Sequence, residues 1–356
     1  MIKKTTVALL FGGRSAEHEV SIRSAASVFR HLDPKKFRVA AIYIDKRGRW
    51  KRVASPLLPL DKLSAGPAAD FLPWAGKRST PPFRADIYFP VLHGPCGEDG
   101  TIQGLLEMAD APFVGPGVLS SAAGMDKAVM KILFEARGLP VVPYRVVRET
   151  EWRKDPGAVL RAVRRAFGLP LFVKPANLGS SVGITKVADR EATREAIELA
   201  FRYDQKILIE KGIRGRELEC SVLGNDAPEA SLPGEVVPHR DFYDYDDKYD
   251  KASKTVFHIP VRLPAPVVKA VRRMAVEAFA ACECEGMARV DFFLETGSGG
   301  LYVNELNTIP GFTEISMYPK LWAASGLPFP RLLERLLELG FERHRTKKRC
   351  VARTRQ

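Results

Sequence analysis

The chain has 356 residues and a mass of 39.5 kDa, with 46% hydrophobic residues, 27% charged residues and a formal net charge of +13. That length suits two or three domains with cores of their own, and the composition excludes a collagen-like or low-complexity chain. No stretch approaches the roughly 18 apolar residues of a membrane span. The five cysteines (Cys96, Cys220, Cys282, Cys284 and Cys350) suggest neither a disulfide ladder nor a zinc knuckle, which fits a reducing cytoplasm.

In chain order, the run Val7–Phe11 after Lys3 and Lys4 is too short for a signal-peptide core and reads as part of a buried strand over residues 5–11. A helix over Val20–Leu32 and a strand over Phe37–Ile44 follow, the start of an alternating βα pattern and a parallel sheet. Residues 51–85 contain six prolines and little periodicity and read as a surface insertion. Asp86–Leu92 returns as a strand, Gly100–Ala109 as a helix and Pro112–Val114 as a short strand.

Met125–Arg137 is a helix stopped by Gly138, with Pro140 beyond. Strands at Val141–Val147, Leu171–Lys174, Ser181–Val187 and Lys206–Glu210, with helices at Gly157–Phe167 and Arg190–Tyr203, make a small α+β module. A strand from Glu217 to Leu223, a polar aromatic loop over Pro238–Lys254 and a long helix over Pro264–Cys282 come next. Met287–Leu294 and Leu301–Asn307 form a hairpin across a Gly-rich turn. Helices near Pro319–Ser325 and Pro328–Leu339 close the fold. Beyond them, Phe341–Gln356 carries seven basic residues against Glu342. Such a run reads as a solvated tail, so much of the positive charge does not argue for nucleic-acid binding. Deletion after Arg343 is expected to leave activity intact.

Several stretches carry chemistry. Glu305 and Asn307 share one face of a strand, and Asp291 lies on its hairpin partner. Acids set among apolar strand residues need a counter-charge, and three oxygen ligands on one sheet face suit Mg²⁺. Lys174-Pro-Ala-Asn-Leu-Gly-Ser-Ser-Val-Gly183 follows a strand; its glycines let backbone N–H groups approach an anion, and Lys174 supplies charge. No Gly-Lys-Ser/Thr opens a helix there, so it is not a Walker A loop. Glu17 and Glu19, in Gly12-Gly-Arg-Ser-Ala-Glu-His-Glu-Val-Ser21, either support a helix N-terminus or grip a substrate ammonium. His93, opening His-Gly-Pro-Cys-Gly-Glu-Asp-Gly100, reads in isolation as a structural histidine. The acidic, aromatic Asp241–Asp250 loop has the length of an active-site lid, and its Lys248 could reach a phosphate.

Taken together these stretches, with Met125-Asp-Lys127, Ala288-Arg-Val-Asp-Phe-Phe293 and Asn304-Glu-Leu-Asn-Thr-Ile-Pro-Gly-Phe-Thr313, resemble the D-alanine–D-alanine ligases of the ATP-grasp superfamily over residues 5–340. The resemblance implies an α/β, three-domain ATP-grasp fold. A Rossmann-like domain would span residues 1–123, a central subdomain 124–212, a C-terminal subdomain 213–342 with a lid at 238–258, and a basic tail 343–356. It implies a cytoplasmic ligase that joins two D-alanines with ATP through an acyl phosphate for peptidoglycan synthesis. The alternative is a related carboxylate–amine ligase with another second substrate.

By the same resemblance, Asp291, Glu305 and Asn307 hold two Mg²⁺ ions, with Mn²⁺ as a substitute. Lys127 and Lys174 contact ATP phosphates, with Ser181 beside them. Glu210, Lys211 and Ile213 read adenine, and Glu217 binds the ribose. Glu17 orients the first D-alanine ammonium, with His93 nearby. Arg289 and the Gly311 N–H form the oxyanion hole. Ser316 and Met317 hold the second D-alanine. Ser180 and Tyr249 latch the lid over Glu17, and Lys248 reaches the γ-phosphate. Tyr249 also favours an amine over D-lactate as second substrate. The resemblance implies a homodimer, while the lack of a long apolar stretch argues against membrane association and the charge distribution against a nucleic-acid partner.

Overall fold

The computed structural model describes residues 4–69, 85–238 and 255–353. The first part runs β1 (Thr5–Gly12), α1 (His18–His31), β2 (Phe37–Ile44), β3 (Trp50–Val53), α2 (Leu60–Ser64), β4 (Ile87–Pro90) and α3 (Thr101–Met108). Its sheet has the order β3-β2-β1-β4. β1 pairs in parallel with β2 and β4, as continuous apolar runs such as Val7-Ala-Leu-Leu-Phe11 require of strands covered on both faces. β3 pairs antiparallel to β2, and Leu63 of α2 is fully buried. The start of the Pro-rich segment is thus a sheet edge with its own cover; residues 70–84 lie outside the described residues.

The helix expected over Met125–Arg137 is α5 (Lys127–Ala136), and a further helix that the sequence reading did not give, α4 (Val118–Met125), precedes it. Asp126 separates them: its side chain accepts from the N–H groups of Ala128 and Val129 and caps α5. Then follow β5 (Tyr144–Arg148), α6 (Glu149–Lys154), α7 (Pro156–Ala166), β6 (Leu171–Pro175), β7 (Thr185–Val187), α8 (Ala192–Ala200) and β8 (Lys206–Lys211). They form a four-stranded antiparallel sheet in the order β5-β8-β6-β7 with a separate core around Trp152, Val173, Ile197 and Ile209. The strand expected from Ser181 begins only at Thr185, because Ser180, Ser181 and Gly183 all adopt positive φ and turn the chain instead.

The last part contains β9 (Gly215–Gly224), β10 (Glu229–Ala230), β11 (Gly234–Val237), β12 (Val256–His258), α9 (Ala265–Ala281), β13 (Gly286–Glu295), β14 (Leu301–Asn307), α10 (Met317–Ala324) and α11 (Phe329–Arg353). Its sheet follows β12-β11-β9-β13-β14, with β10 on β9. α9 and the Met130–Phe134 face of α5 cover one side of it. The core under β1 continues into Phe312, Tyr318 and the leucines of α11, so the first and last parts share one apolar interior.

The basic tail is a correction to the sequence reading. α11 continues through it to Arg353. Arg343 is 4% exposed, lies 3.9 Å above the Phe113 ring, and donates to the carbonyls of Phe113 and Gly115. Lys347 pairs with Glu107, and Lys348 with Asp110. Helical spacing turns one side of the charge run onto acids at the end of α3 and just beyond. No helix among the described residues is long and apolar enough to cross a membrane.

Candidate active site

The site begins at the carboxyl ends of β1 and β4, where parallel sheets present their loops to ligands. Gly12 has φ +93°, and a Cβ there would lie 2.2 Å from the Ile44 carbonyl, so only glycine makes this turn. The turn is held by Ser21, whose Oγ accepts from Gly12 N–H, and by His18, which bonds Gly13 O and Tyr43 OH. Glu17 takes the N-cap position of α1 without capping it. Its carboxylate instead accepts from the Ser180 hydroxyl, across 163 residues of chain. A Cβ on Gly94 would lie 2.8 Å from Glu17 Oε2, and one on Gly179 3.2 Å, so glycines let both loops close on that carboxylate. Glu19 keeps the ordinary role: it is exposed and pairs with Lys46.

His93 is buried, and both ring nitrogens are engaged. Nδ1 lies 3.0 Å from the Ile309 carbonyl, which can only accept, so Nδ1 carries the proton and Nε2 accepts from Ser24 Oγ. Burial pushes its pKa down, which keeps the ring neutral. Ser24 Oγ also accepts from Phe312 N–H. His93 therefore ties the β4 loop to the 309–312 loop instead of offering a vacant donor. Glu98 makes a second tie: its carboxyl oxygens accept from Gly94 N–H at 2.6 Å and Ile309 N–H at 3.4 Å. Burial, then the neighbouring Glu17, push its pKa up to about 8.

Those ties place Gly311 and Ser316 beside Arg289. A Cβ on Gly311 would lie 2.7 Å from Ser316 Oγ, so the close approach requires glycine. Ser316 Oγ accepts from Thr313 N–H, and Met317 packs in the apolar cluster with Val236 and Leu321. Arg289, on β13, forms a bidentate pair with Asp291 at 2.7 Å and a 3.0 Å pair with Glu219. Burial works against its charge, but Asp291 and Glu219 override it and hold its pKa well above the usual guanidinium value. Arg289, Gly311, Ser316 and Met317 line a cavity of about 470 Å³.

A second cavity of about 760 Å³ lies between the two antiparallel sheets, and Arg289 and Glu219 stand on its wall too. Lys174, Ser181, Glu210, Lys211, Ile213 and Glu217 all line it, so the expected nucleotide residues converge. Lys174 Nζ donates to Glu210 Oε2 at 2.6 Å. Burial works to raise the Glu210 pKa, but Lys131 and Lys174 hold it down at about 2. Lys127 is not among the lining residues; it donates to the Leu178 carbonyl, and its Nζ is 4.0 Å from Glu305, which does line the cavity.

The hairpin register pairs Asp291 with Glu305 and Arg289 with Asn307, which puts the expected ligands on one face. Asn307 Nδ2 donates to Asp291 Oδ2 at 3.0 Å, so its Oδ1 is the atom it offers to a cation. Among the described residues no three His, Cys, Asp or Glu side chains form a metal cluster. The donor set is two carboxylates and an amide oxygen, an all-oxygen set, and Asp291 and Glu305 line the larger cavity; it fits Mg²⁺ that keeps waters and phosphate oxygens as its other ligands. Lys248 and Tyr249 lie outside the described residues.

Three participants escaped the sequence reading. Glu219 follows Glu217 by two on β9 and so shares its face, a signal available from strand alternation. Glu98 lay inside a motif already singled out. Lys131, four residues after Lys127, is 1% exposed and pairs with Glu210 at 3.2 Å; only the fold reveals that.

A family model described as D-ala D-ala ligase N-terminus matches residues 6–116, and one described as D-ala D-ala ligase C-terminus matches 133–338. A D-alanine–D-alanine ligase of Solibacter usitatus is 52% identical, covering 97% of this chain and 98% of its own length. The structure of the D-alanine–D-alanine ligase from Coxiella burnetii superposes with a TM-score of 0.87 at 39% identity, covering 99% of each chain. VanG D-Ala:D-Ser ligase from Enterococcus faecalis gives a TM-score of 0.82 at 34% identity, over 95% of this chain and 100% of that one.

Proposed function

The chain belongs to the D-alanine–D-alanine ligase family and joins two D-alanines at the expense of ATP for peptidoglycan synthesis, and we propose that the residues gathered around Arg289 carry that reaction. ATP occupies the larger cavity, its adenine at Glu210, Lys211 and Ile213, its ribose at Glu217 and its phosphates toward Lys127, Lys174 and Ser181. Asp291, Glu305 and Asn307 hold two Mg²⁺ ions, or Mn²⁺ in their place, which when bound neutralise charge on the phosphates. Glu17 orients the ammonium of the first D-alanine, and the carboxylate of that D-alanine attacks the γ-phosphorus. ADP leaves, and an acyl phosphate forms. The neutral amine of the second D-alanine, its carboxylate held at Ser316, then attacks the acyl carbon. Arg289 and the Gly311 N–H stabilise the tetrahedral oxyanion, the attacking nitrogen releases one proton, phosphate departs, and the dipeptide remains. His93 and Glu98 position the loop that carries Gly311. Ser180 and Tyr249 latch the lid, and Lys248 reaches the γ-phosphate when it closes.

The observation that carries this reading is that Arg289 stands on the wall common to both cavities, where phosphate chemistry and the second amino acid must meet. The three separate sheets support domain boundaries at residues 1–123, 124–212 and 213–342. We read the enzyme as a cytoplasmic homodimer, on the strength of the family alone. Glu305→Gln tests the site. It should cut turnover by about 10²-fold or more with the circular-dichroism spectrum unchanged. Turnover equal to wild type would refute its metal role.

A further inference from the structure

Lys131 is a buried lysine for which the reaction has so far had no use. It lies on α5, whose Met130 and Phe134 pack against the large sheet while Ala128 and Lys131 face the small one. Burying an ammonium costs several kcal/mol unless something compensates it. The compensation is Glu210, 2% exposed, whose Oε1 sits 3.2 Å from Lys131 Nζ. Tyr144 adds its ring face 5.5 Å from the same nitrogen.

The two lysines around Glu210 are not equivalent. Lys174 makes an aligned hydrogen bond to Oε2 and also lines the nucleotide cavity. A nucleotide phosphate would compete for it. Lys131 stands behind the carboxylate, 3.2 Å from Oε1, and both atoms are shut away from solvent. Lys131 thus pins Oε1 from behind, and the oxygen left to accept an N–H in the cavity once a phosphate draws Lys174 away is Oε2. We propose that Lys131 is a base-selecting positioning residue, which keeps Glu210 charged and oriented to accept the adenine 6-amino group when ATP draws Lys174 away. The inference rests on the reading of Glu210 as the adenine reader and goes beyond it by assigning the residue that makes that reading selective.

The test compares ATP with purine riboside triphosphate, which keeps N1 as an acceptor and lacks the 6-amino group. Phosphate release is followed with saturating D-alanine and Mg²⁺. The wild type should show a KM for ATP lower by about tenfold or more, the worth of a hydrogen bond to a charged acceptor. In Lys131→Met the KM for ATP should rise until that ratio approaches one, while the KM for purine riboside triphosphate and both kcat values change by less than about threefold. Lys131→Gln, which keeps a donor of similar length, should restore part of the ratio, and it carries the comparison if the Met variant is insoluble. An undiminished ratio in the variants, or an equal rise of both KM values, would overturn the role of Lys131 while leaving Glu210 as the reader. No preference in the wild type would overturn the adenine reading and this inference with it.

Discussion

Replacing Arg343 by methionine probes the contact that binds the C-terminal helix to the first domain. Methionine keeps an apolar stem over Phe113 but removes the donors to the Phe113 and Gly115 carbonyls. Each orphaned buried carbonyl costs about 1–3 kcal/mol, and the lost cation–π contact about 1–2 kcal/mol. Against this, the substitution relieves a buried guanidinium whose carboxylate partner Glu285 is 3.9 Å away, and burial already works to lower the Arg343 pKa. The net expectation is a loss of about 2–4 kcal/mol. The assay is urea unfolding followed by fluorescence, beside a chain truncated after Arg343. That truncation removes only partly exposed pairs such as Lys347–Glu107 and Lys348–Asp110, each worth at most about 1 kcal/mol, and should retain activity. A loss below about 0.5 kcal/mol in Arg343→Met, or a larger loss from the truncation, would refute the reasoning.

Tyr249→Phe should weaken the lid latch and raise D-alanyl-D-lactate relative to D-alanyl-D-alanine by about two- to tenfold, the worth of one hydrogen bond. Mass analysis of products from mixed substrates reads the ratio, and an unchanged ratio counts against the latch. Glu98 holds its proton up to about pH 8 in the folded chain, against an ordinary value of 4.5. In that window the folded state binds the extra proton, so its contribution to stability is present at the acid end and declines as pH rises through about 8. Glu98→Gln should flatten the fall in urea midpoint between pH 5.5 and pH 8.5, and an identical slope would remove Glu98 as its source.

The hairpin was legible because its chemistry follows from local alternation: acids two apart on one strand and one on its partner fix the face, and the observed register pairs Asp291 with Glu305. The loops after β1 and β4 were legible from their glycines as close-packed turns at strand ends, and both line a cavity. Which side chains they aim was not, since Glu17 meets Ser180 only through the packing of separate parts. His93 read in isolation as a structural histidine and both its nitrogens are engaged, but their partners, Ile309 and Ser24, come from distant parts of the chain that only the fold brings together. Composition misled at the tail, where a charge run reads as solvated until the acids opposite it, Glu107 and Asp110, are known. Asp126 was a missed local signal, the N-cap that starts α5 and separates it from α4, a helix the sequence reading did not give.

The measurement that bears most directly on the account is phosphate release from ATP and Mg²⁺ with D-alanine, L-alanine, or D-alanine plus D-lactate or D-serine, with each product identified by mass. The account predicts release with D-alanine alone and D-alanyl-D-alanine as its product, dominant in the mixtures as well. No release with D-alanine, or a product dominated by another second substrate, would contradict it.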